Sequence, residues 1–449
     1  LKRILLVNPW IEDVAAYDYW LKPLGLLYIS AMLRNAGIET LLVDCLDRHD
    51  HELRQFTGKT PVDRYFGTGQ FYSEVIPKPH CLLEVPRRFK RYGFPVELFR
   101  KKIRDTLDVD AVFVTSMMTY WHYGVSECIS VIRQEKPGIP VVLGGVYASI
   151  MPEHAEQHSG ADAVFPGTGV RPVQQALDYI GINKELESNW LDALEPYYGH
   201  YQELSYAVVI TNTGCPYKCS YCASWKLWDG FSQMQADHAA GIIGNLLQER
   251  LIKDIAFFDD ALLVGDRFKS LLQILRERGT SSRFHLPNGI HTRLMDKELA
   301  ALFRDCNFKT INLALESVNE NVQRITGEKV SSSDLARAVE FLKDEGFGPK
   351  EINVYIIADL PGQSSCDVKR AITLCASLGV VPKINELTPI PGTPLWKDLV
   401  ASGIIPDGVD PVMLNNSVFP HWWKNGLSLV ELQELKDMAH EVKEELLSD

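Results

Sequence analysis

Short apolar runs alternate with stretches that repeat apolar side chains every three or four positions, first over residues 2 to 180 and again from 207 onward. Alternation of this kind marks parallel strands joined by crossover helices. In the first half, strands are expected at 3–7, 39–43, 111–115, 141–143 and 163–165, with helices such as 24–35 and 123–134 between them. In the second half, strands at 207–211, 255–258, 283–286, 310–315, 352–357 and 383–387 alternate with helices such as 236–249, 267–277, 333–344 and 367–378. The fold class is therefore α/β, in two parts: a five-stranded parallel unit over 1–182 and six βα units over 205–395, joined by a linker at 183–204. An insertion at about 46–105 is too long for an ordinary connection. Its aromatic residues, such as Tyr65, Phe66 and Phe71, predict an ordered cap. The extension 396–449 begins aromatic and ends in an amphipathic helix expected at 427–447.

Composition narrows the partners more than the chemistry. Acidic residues outnumber basic ones 58 to 46, a net charge of −12 that argues against broad binding to nucleic acid or anionic membranes. No apolar run approaches the ~18 residues of a spanning helix, and the first residues enter a strand pattern without a cleavage site. A cytoplasmic location is the expectation. Nine cysteines without a paired framework fit a reducing compartment and metal chemistry better than disulfides.

Three of those cysteines, Cys215, Cys219 and Cys222, fall in one loop, Thr-Gly-Cys-Pro-Tyr-Lys-Cys-Ser-Tyr-Cys-Ala, directly after the first strand of the second half. A 4Fe-4S cluster held by three thiolates leaves one iron open to a small molecule. A structural zinc site and a buried trio of structural cysteines are the competing readings, but zinc sites usually show two Cys pairs or a Cys/His quartet, and no second pair occurs here. The other six, Cys45, Cys81, Cys128, Cys306, Cys366 and Cys375, have no ligand spacing and read as core or surface thiols.

The CxxxCxxC spacing, with Tyr221 just before the last cysteine, resembles the signature loop of the radical S-adenosylmethionine (SAM) enzymes. The resemblance implies a partial TIM-like barrel, SAM chelated at the open iron and reductive cleavage to a 5′-deoxyadenosyl radical. It also implies that polar residues after strands two to five hold SAM: Glu316 on its ribose or amino group, and Asn288 or Arg293 on its carboxylate or ribose. Asp259 and Asp260, after strand two, read equally well as helix caps. His291, after strand three, is weak as a lone histidine. Strand five departs from the family, whose Gly-Leu-Pro-Gly becomes Asp359-Leu-Pro-Gly here. Either backbone contact with adenine is altered or the carboxylate has a local role.

The first half resembles the Rossmann-like, cobalamin-binding domain of one branch of that family. The likeness rests on Ser116-Met-Met-Thr-Tyr-Trp, Leu143-Gly-Gly-Val-Tyr-Ala, Met151-Pro-Glu-His-Ala and Gly167-Thr-Gly. Paired glycines after a strand let a large ligand approach the backbone. Ser116, Thr119, Tyr120, Gly144, Gly145, Tyr147 and Gly167 are the cofactor contacts that the resemblance implies, with Tyr120 and His122 nearest the corrin face. Met117 and Met118 read as core. No Asp-x-His-x-x-Gly loop supplies a lower axial histidine, and a docking domain without cofactor is the bland alternative.

Nearly the whole chain, from the first unit through the six βα units, is similar to the cobalamin-binding radical SAM enzymes, mostly methyltransferases. Their resemblance implies a 4Fe-4S cluster, SAM and cobalamin as cofactors, with methyl transfer from SAM through methylcobalamin to an unactivated carbon. The substrate would be a peptide, a protein or a small metabolite, and the electron donor a flavodoxin or ferredoxin. Rearrangement or cyclisation without methyl transfer is the alternative within the family, and a non-catalytic cobalamin or redox sensor the alternative outside it.

Overall fold

The structure is a computed structural model that describes residues 2–448 apart from 280, 424 and 425. It divides into two compact units: Leu1–Ser205 with Lys226–Trp228 and Val409–Met413, and Tyr206–Trp225 with Asp229–Gly408 and Leu414–Asp449.

In the first unit, strands β1 (Arg3–Asn8), β2 (Glu39–Asp44), β3 (Ala111–Val114), β4 (Val141–Leu143) and β5 (Ala163–Val164) form one sheet in the order 2-1-3-4-5. Every pairing in it is parallel. The crossover helices include α1 (Leu24–Asn35), α2 (Val96–Asp105), α3 (His122–Glu135) and, after β5, α4 (Val170–Tyr179). This order reverses direction between β1 and β3, and the crevice beyond those strand ends is where doubly wound sheets bind ligands. Strand ends were legible to within a residue or two, because both faces of these strands are buried and their apolar runs are continuous.

The insertion carries two short strands that pair with each other and, through one of them, with a segment just after β1. Ile11–Asp13, Lys90–Tyr92 and Ser73–Val75 make a three-stranded antiparallel sheet. Arg91 in that sheet is buried between Glu12 and Glu127, 3.1 and 2.5 Å away. Burial, reinforced by Glu127, lifts the Glu12 carboxyl to about 8.

In the second unit, β6 (Ala207–Val209), β7 (Asp254–Phe257), β8 (Arg283–Ile290), β9 (Phe308–Glu316), β10 (Ile352–Ala358) and β11 (Val381–Glu386) lie side by side in chain order, all parallel. Helices α5 (Ala236–Glu249), α6 (Arg267–Arg278), α7 (Lys297–Asp305), α8 (Ser332–Asp344) and α9 (Ser365–Ser377) cross over between successive strands, and α10 (Leu429–Ser448) follows from the extension. Both α8 and α9 begin with reciprocal capping boxes, Ser331 with Asp334 and Ser364 with Asp367, which satisfy two orphan N–H groups each. The rings of Phe257, Phe268, Phe284, Phe303 and Phe308 fill the layer between sheet and helices, Phe303 and Phe308 stacked at 4.3 Å. Burying each such ring contributes roughly 1.5–3 kcal/mol. Among the described residues no helix is long and apolar enough to cross a membrane.

Segment 409–413 belongs to the first unit through Asp410, whose carboxylate accepts hydrogen bonds from His122 Nε2 at 2.8 Å and Tyr123 Oη at 2.5 Å. Burial alone would raise the Asp410 pKa, but these bonds and the His122 charge outweigh it and hold it at about 2. A carboxylate depressed in this way stabilises the fold fully above its unfolded pKa of about 4 and loses that contribution as pH falls toward 2. Asp410→Asn should therefore lower stability by on the order of 1–2 kcal/mol at neutral pH. Melting curves of the two proteins should converge as the pH is lowered below about 4; a constant difference would refute the assignment.

Candidate active site

The three-cysteine loop is anchored by the strand beside it. Asp259, just past β7, places Oδ1 on the N–H groups of Thr211 and Asn212 at 2.6 and 2.7 Å and on the Thr211 hydroxyl at 2.9 Å. Its capping role is thus not for the next helix: it pins the chain where β6 turns into the loop. Burial lifts this carboxyl to about 7. Gly214 then adopts φ 74, the left-handed turn that only glycine enters without strain. Asn212–Thr213 pairs antiparallel with Ser232–Gln233, which closes the loop at its base.

Within the loop, Cys219 is buried and Cys215 and Cys222 are partly buried. Burial pushes the Cys215 thiol up to about 11, and repulsion from Cys222 and Cys219 adds to it. Cys219 is raised by burial too, while Lys329 pulls it down. The Cys222 sulfur accepts the Ser224 N–H at 3.5 Å, and Ser224 donates its hydroxyl to Asp260 at 3.0 Å. Asp260 is therefore tied to the loop and caps no helix. His291 Nε2 approaches Cys215 Sγ at 3.9 Å, with the Tyr217 ring stacked on the imidazole at 4.8 Å. Burial, with Lys329 adding to it, drives this histidine down to about 3. Even so, among the described residues no three His, Cys, Asp or Glu groups converge to hold a single ion. A cluster with one open iron needs three thiolates, the number this loop supplies, whereas a structural zinc ion needs four ligands.

Glu316 ends β9 at φ 63, where the pairing with β10 slips by a residue. Its Oε1 accepts the Tyr221 hydroxyl at 3.0 Å and lies 3.4 Å from Lys329 Nζ. The sequence reading joined Tyr221 and Glu316 to one site but missed Lys329. Burial alone would lower that ammonium, yet Glu316 and the Cys219 and Cys222 thiols raise it. Residues 326–329 lie against the loop: Thr326 accepts the Ser220 N–H at 3.4 Å, and the Cβ position of Gly327 is 3.4 Å from the Cys219 Cα. A lone lysine after a short helix carries no spacing signal, so only the fold could reveal it. Arg293 is taken up by the Glu328 carbonyl and, at 3.6 Å, by Asp334, so the cation at Glu316 is Lys329. Asn288 donates to the Asp259 carbonyl at 3.3 Å and shares a small pocket with Asp260, Gly289 and His291.

In the first unit, Ser116 and Gly144 tie the ends of β3 and β4 together. Ser116 Oγ donates to the Gly144 carbonyl at 2.8 Å, and its own carbonyl accepts the Val146 N–H at 2.7 Å. The two glycines of the pair have different physical roles. A Cβ on Gly145, at φ 89, would lie 2.4 Å from the Ser116 carbonyl oxygen, so its close neighbour is the protein itself. A Cβ on Gly144 would meet only the Phe165 carbonyl, at 3.8 Å, and one on Gly167 nothing within 4 Å. Backbone that open is what a large flat ligand needs. Thr119 is buried and Tyr120 packs edge-on against Trp121 at 5.7 Å. Tyr147 is fully buried, its hydroxyl spent on His154 at 2.7 Å, and His122 is anchored on Asp410. Met118, expected in the core, is 39% exposed, because β3 ends four residues before it.

The comparisons agree with this geometry. The radical SAM superfamily matches residues 209–375 and the B12 binding domain residues 90–177. An uncharacterized methyltransferase of Pyrococcus horikoshii is 22% identical over 334 residues, 66% of this chain and 70% of that one. The anaerobic magnesium-protoporphyrin IX monomethyl ester cyclase of Rubrivivax gelatinosus is 22% identical over 286 residues, 55% of this chain and 51% of its own length. The chain thus spans about half of that relative. The radical SAM methyltransferase TsrM of Kitasatospora setae, solved with tryptophan and a SAM analogue, superposes with a TM-score of 0.66 at 15% identity, over 90% of this chain and 76% of that one. A parallel barrel with a three-cysteine loop after its first strand defines a radical SAM enzyme. Residues 209–375 are thus a radical SAM domain and residues 90–177 a B12-binding domain, and together they imply a 4Fe-4S cluster, SAM and cobalamin as cofactors.

Anaerobic reconstitution should load about four irons per chain. Replacing Cys215, Cys219 and Cys222 together by alanine should abolish the cluster's absorption and leave cobalamin bound to the first unit. A 4Fe-4S spectrum surviving in that variant would rule out these ligands.

Proposed function

We propose that the protein is a cobalamin-dependent methyltransferase that carries a methyl group from SAM to an unactivated carbon of a peptide, a protein or a small metabolite. The observation that carries this reading is the group Tyr221–Glu316–Lys329 against the cysteine loop, in a chain that also holds the open glycine backbone of the first unit. When bound, the cluster with SAM supplies a carbon radical, and cobalamin supplies the methyl carrier.

The residues divide that work. Cys215, Cys219 and Cys222 hold three irons and leave the fourth to SAM. Glu316 accepts from the ribose hydroxyls or the amino group of SAM, with Tyr221 fixing its carboxylate. Lys329 supplies the cation for the SAM carboxylate, the role that Asn288 or Arg293 was expected to fill. In the first unit Gly144 and Gly167 present bare backbone to the corrin or its nucleotide tail, with Ser116, Thr119 and Tyr120 around them. Gly145 and Tyr147 support that surface from beneath. A reduced flavodoxin or ferredoxin is the proposed electron donor.

Gly144→Ala should weaken cobalamin binding at unchanged thermal stability, since a Cβ there meets nothing closer than the Phe165 carbonyl at 3.8 Å. Gly145→Ala should instead destabilise the fold by about 1–3 kcal/mol, as the Ser116 backbone has to move. Equal stability losses at both positions would sink the distinction.

Deuterated-methyl SAM decides the reaction. With substrate and a strong reductant, methyl transfer should give labelled product, S-adenosylhomocysteine and 5′-deoxyadenosine together. The cyclase relative favours a second reading, ring formation without methyl transfer. Unlabelled product, accompanied by deoxyadenosine and no S-adenosylhomocysteine, would favour that reading and overturn the first.

A further inference from the structure

Strand β10 is followed directly by Asp359, a buried non-glycine residue at φ 76. L side chains rarely adopt this conformation, so the surroundings must hold it there. They do so from far along the chain. Asp359 Oδ1 accepts the N–H of Leu427 at 2.6 Å, across 68 residues of sequence. The neighbouring residue, Gly426, makes room for the carboxylate: a Cβ there would lie 2.6 Å from Oδ1 and 2.7 Å from Oδ2. Aspartate at 359 and glycine at 426 are therefore matched in volume and in hydrogen bonding.

The turn that Asp359 begins is joined to Glu316. Gln363 accepts the Leu360 N–H at 3.2 Å and donates to the Ile357 carbonyl at 3.0 Å and to Ser317 Oγ at 3.3 Å. Ser317 follows Glu316, which is itself held at φ 63. Two strained residues at the ends of adjacent strands are thus linked side by side, and the C-terminal extension holds one of them.

We propose that Asp359 is a positioning residue for the SAM site: by latching Gly426 and Leu427 it fixes the turn 359–363 and, through Gln363 and Ser317, the aim of Glu316. The extension is then a structural part of the cofactor site. The inference rests on the reading of Glu316 as a SAM ligand.

The test uses the full-length, cluster-loaded protein and its variants, with SAM as the probe. Iron content, SAM affinity by equilibrium dialysis, KM and kcat for reductive SAM cleavage without substrate, and amide hydrogen exchange are measured. Asp359→Asn keeps an oxygen facing Leu427, so it should bind SAM within about twofold of the parent and retain Leu427 protection. Asp359→Gly and Gly426→Ala should each weaken SAM binding by about tenfold, mostly in KM, with iron content unchanged. Exchange at Leu427, Leu360 and Ser317 should accelerate in both. The double variant is the sharpest case: without the carboxylate, the alanine methyl has room, so Gly426→Ala should cost nothing further in the Asp359→Gly background. Additive losses, or faster Leu427 exchange at unchanged SAM affinity, would overturn the proposal. Absence of SAM binding by the parent would overturn the reading of Glu316 and the proposal's cofactor half. Unchanged exchange at Leu360 and Ser317 in Asp359→Gly would overturn the latch itself.

Discussion

Three thiols confined to one loop are the constraint on which the barrel depends. Burial disfavours the ionised forms of Cys215 and Cys219, and charge on the neighbouring sulfurs adds to it, so these two are held protonated in the apoprotein. Binding a cluster requires the reverse, with three thiolates at fixed positions and no freedom to separate. The protein meets this with backbone anchors at both ends of the loop: Asp259 on Thr211 and Asn212, and residues 326–329 across Cys219 and Ser220. Lys329 then places a buried cation beside two of the sulfurs.

A buried ion pair such as Lys329 with Glu316 is seldom there for stability, because desolvation offsets most of the attraction. Its value is directional. The Tyr221 phenol and the Lys329 ammonium both meet Oε1 of Glu316, which fixes that oxygen and leaves Oε2 to face a ligand. The ammonium in turn has donors to spare, since a lysine carries three. A zwitterionic ligand with an adjacent amine and carboxylate matches that pair of charges, as the amino-acid end of SAM does.

Much of this was legible in the sequence, for a physical reason specific to parallel sheets. Strands buried on both faces read as unbroken apolar runs, so ten of the expected strands match observed ones within three residues at each end. Strand β8 ran four residues longer than expected, because Pro287 and Gly289 broke the apolar run although Ile290 still pairs with Leu313. The cysteine loop was legible because its spacing is local. What escaped was non-local: Lys329 has no motif around it, and the target of Asp359 lies on the extension. The glycine pair was read as a single signal, though one member is required by Ser116 and the other is open. Spacing cannot separate a glycine that makes room for a ligand from one that makes room for its own chain.

The same distinction explains where strain collects. Glu316 ends one parallel strand and Asp359 directly follows the next, both in the left-handed region, and each is held by partners from another part of the fold. A glycine would take either conformation at no cost but would bring no oxygen. Carboxylates there cost backbone strain and gain fixed acceptors at the open end of the barrel, one facing Tyr221 and Lys329, the other facing Leu427. Such strain persists only where the surroundings over-determine it. At Asp359 the over-determination includes residue 426, whose missing side chain is as necessary as the hydrogen bond beside it. The family's glycine at 359 would need no such partner, so the aspartate and the extension are best understood as a single structural solution.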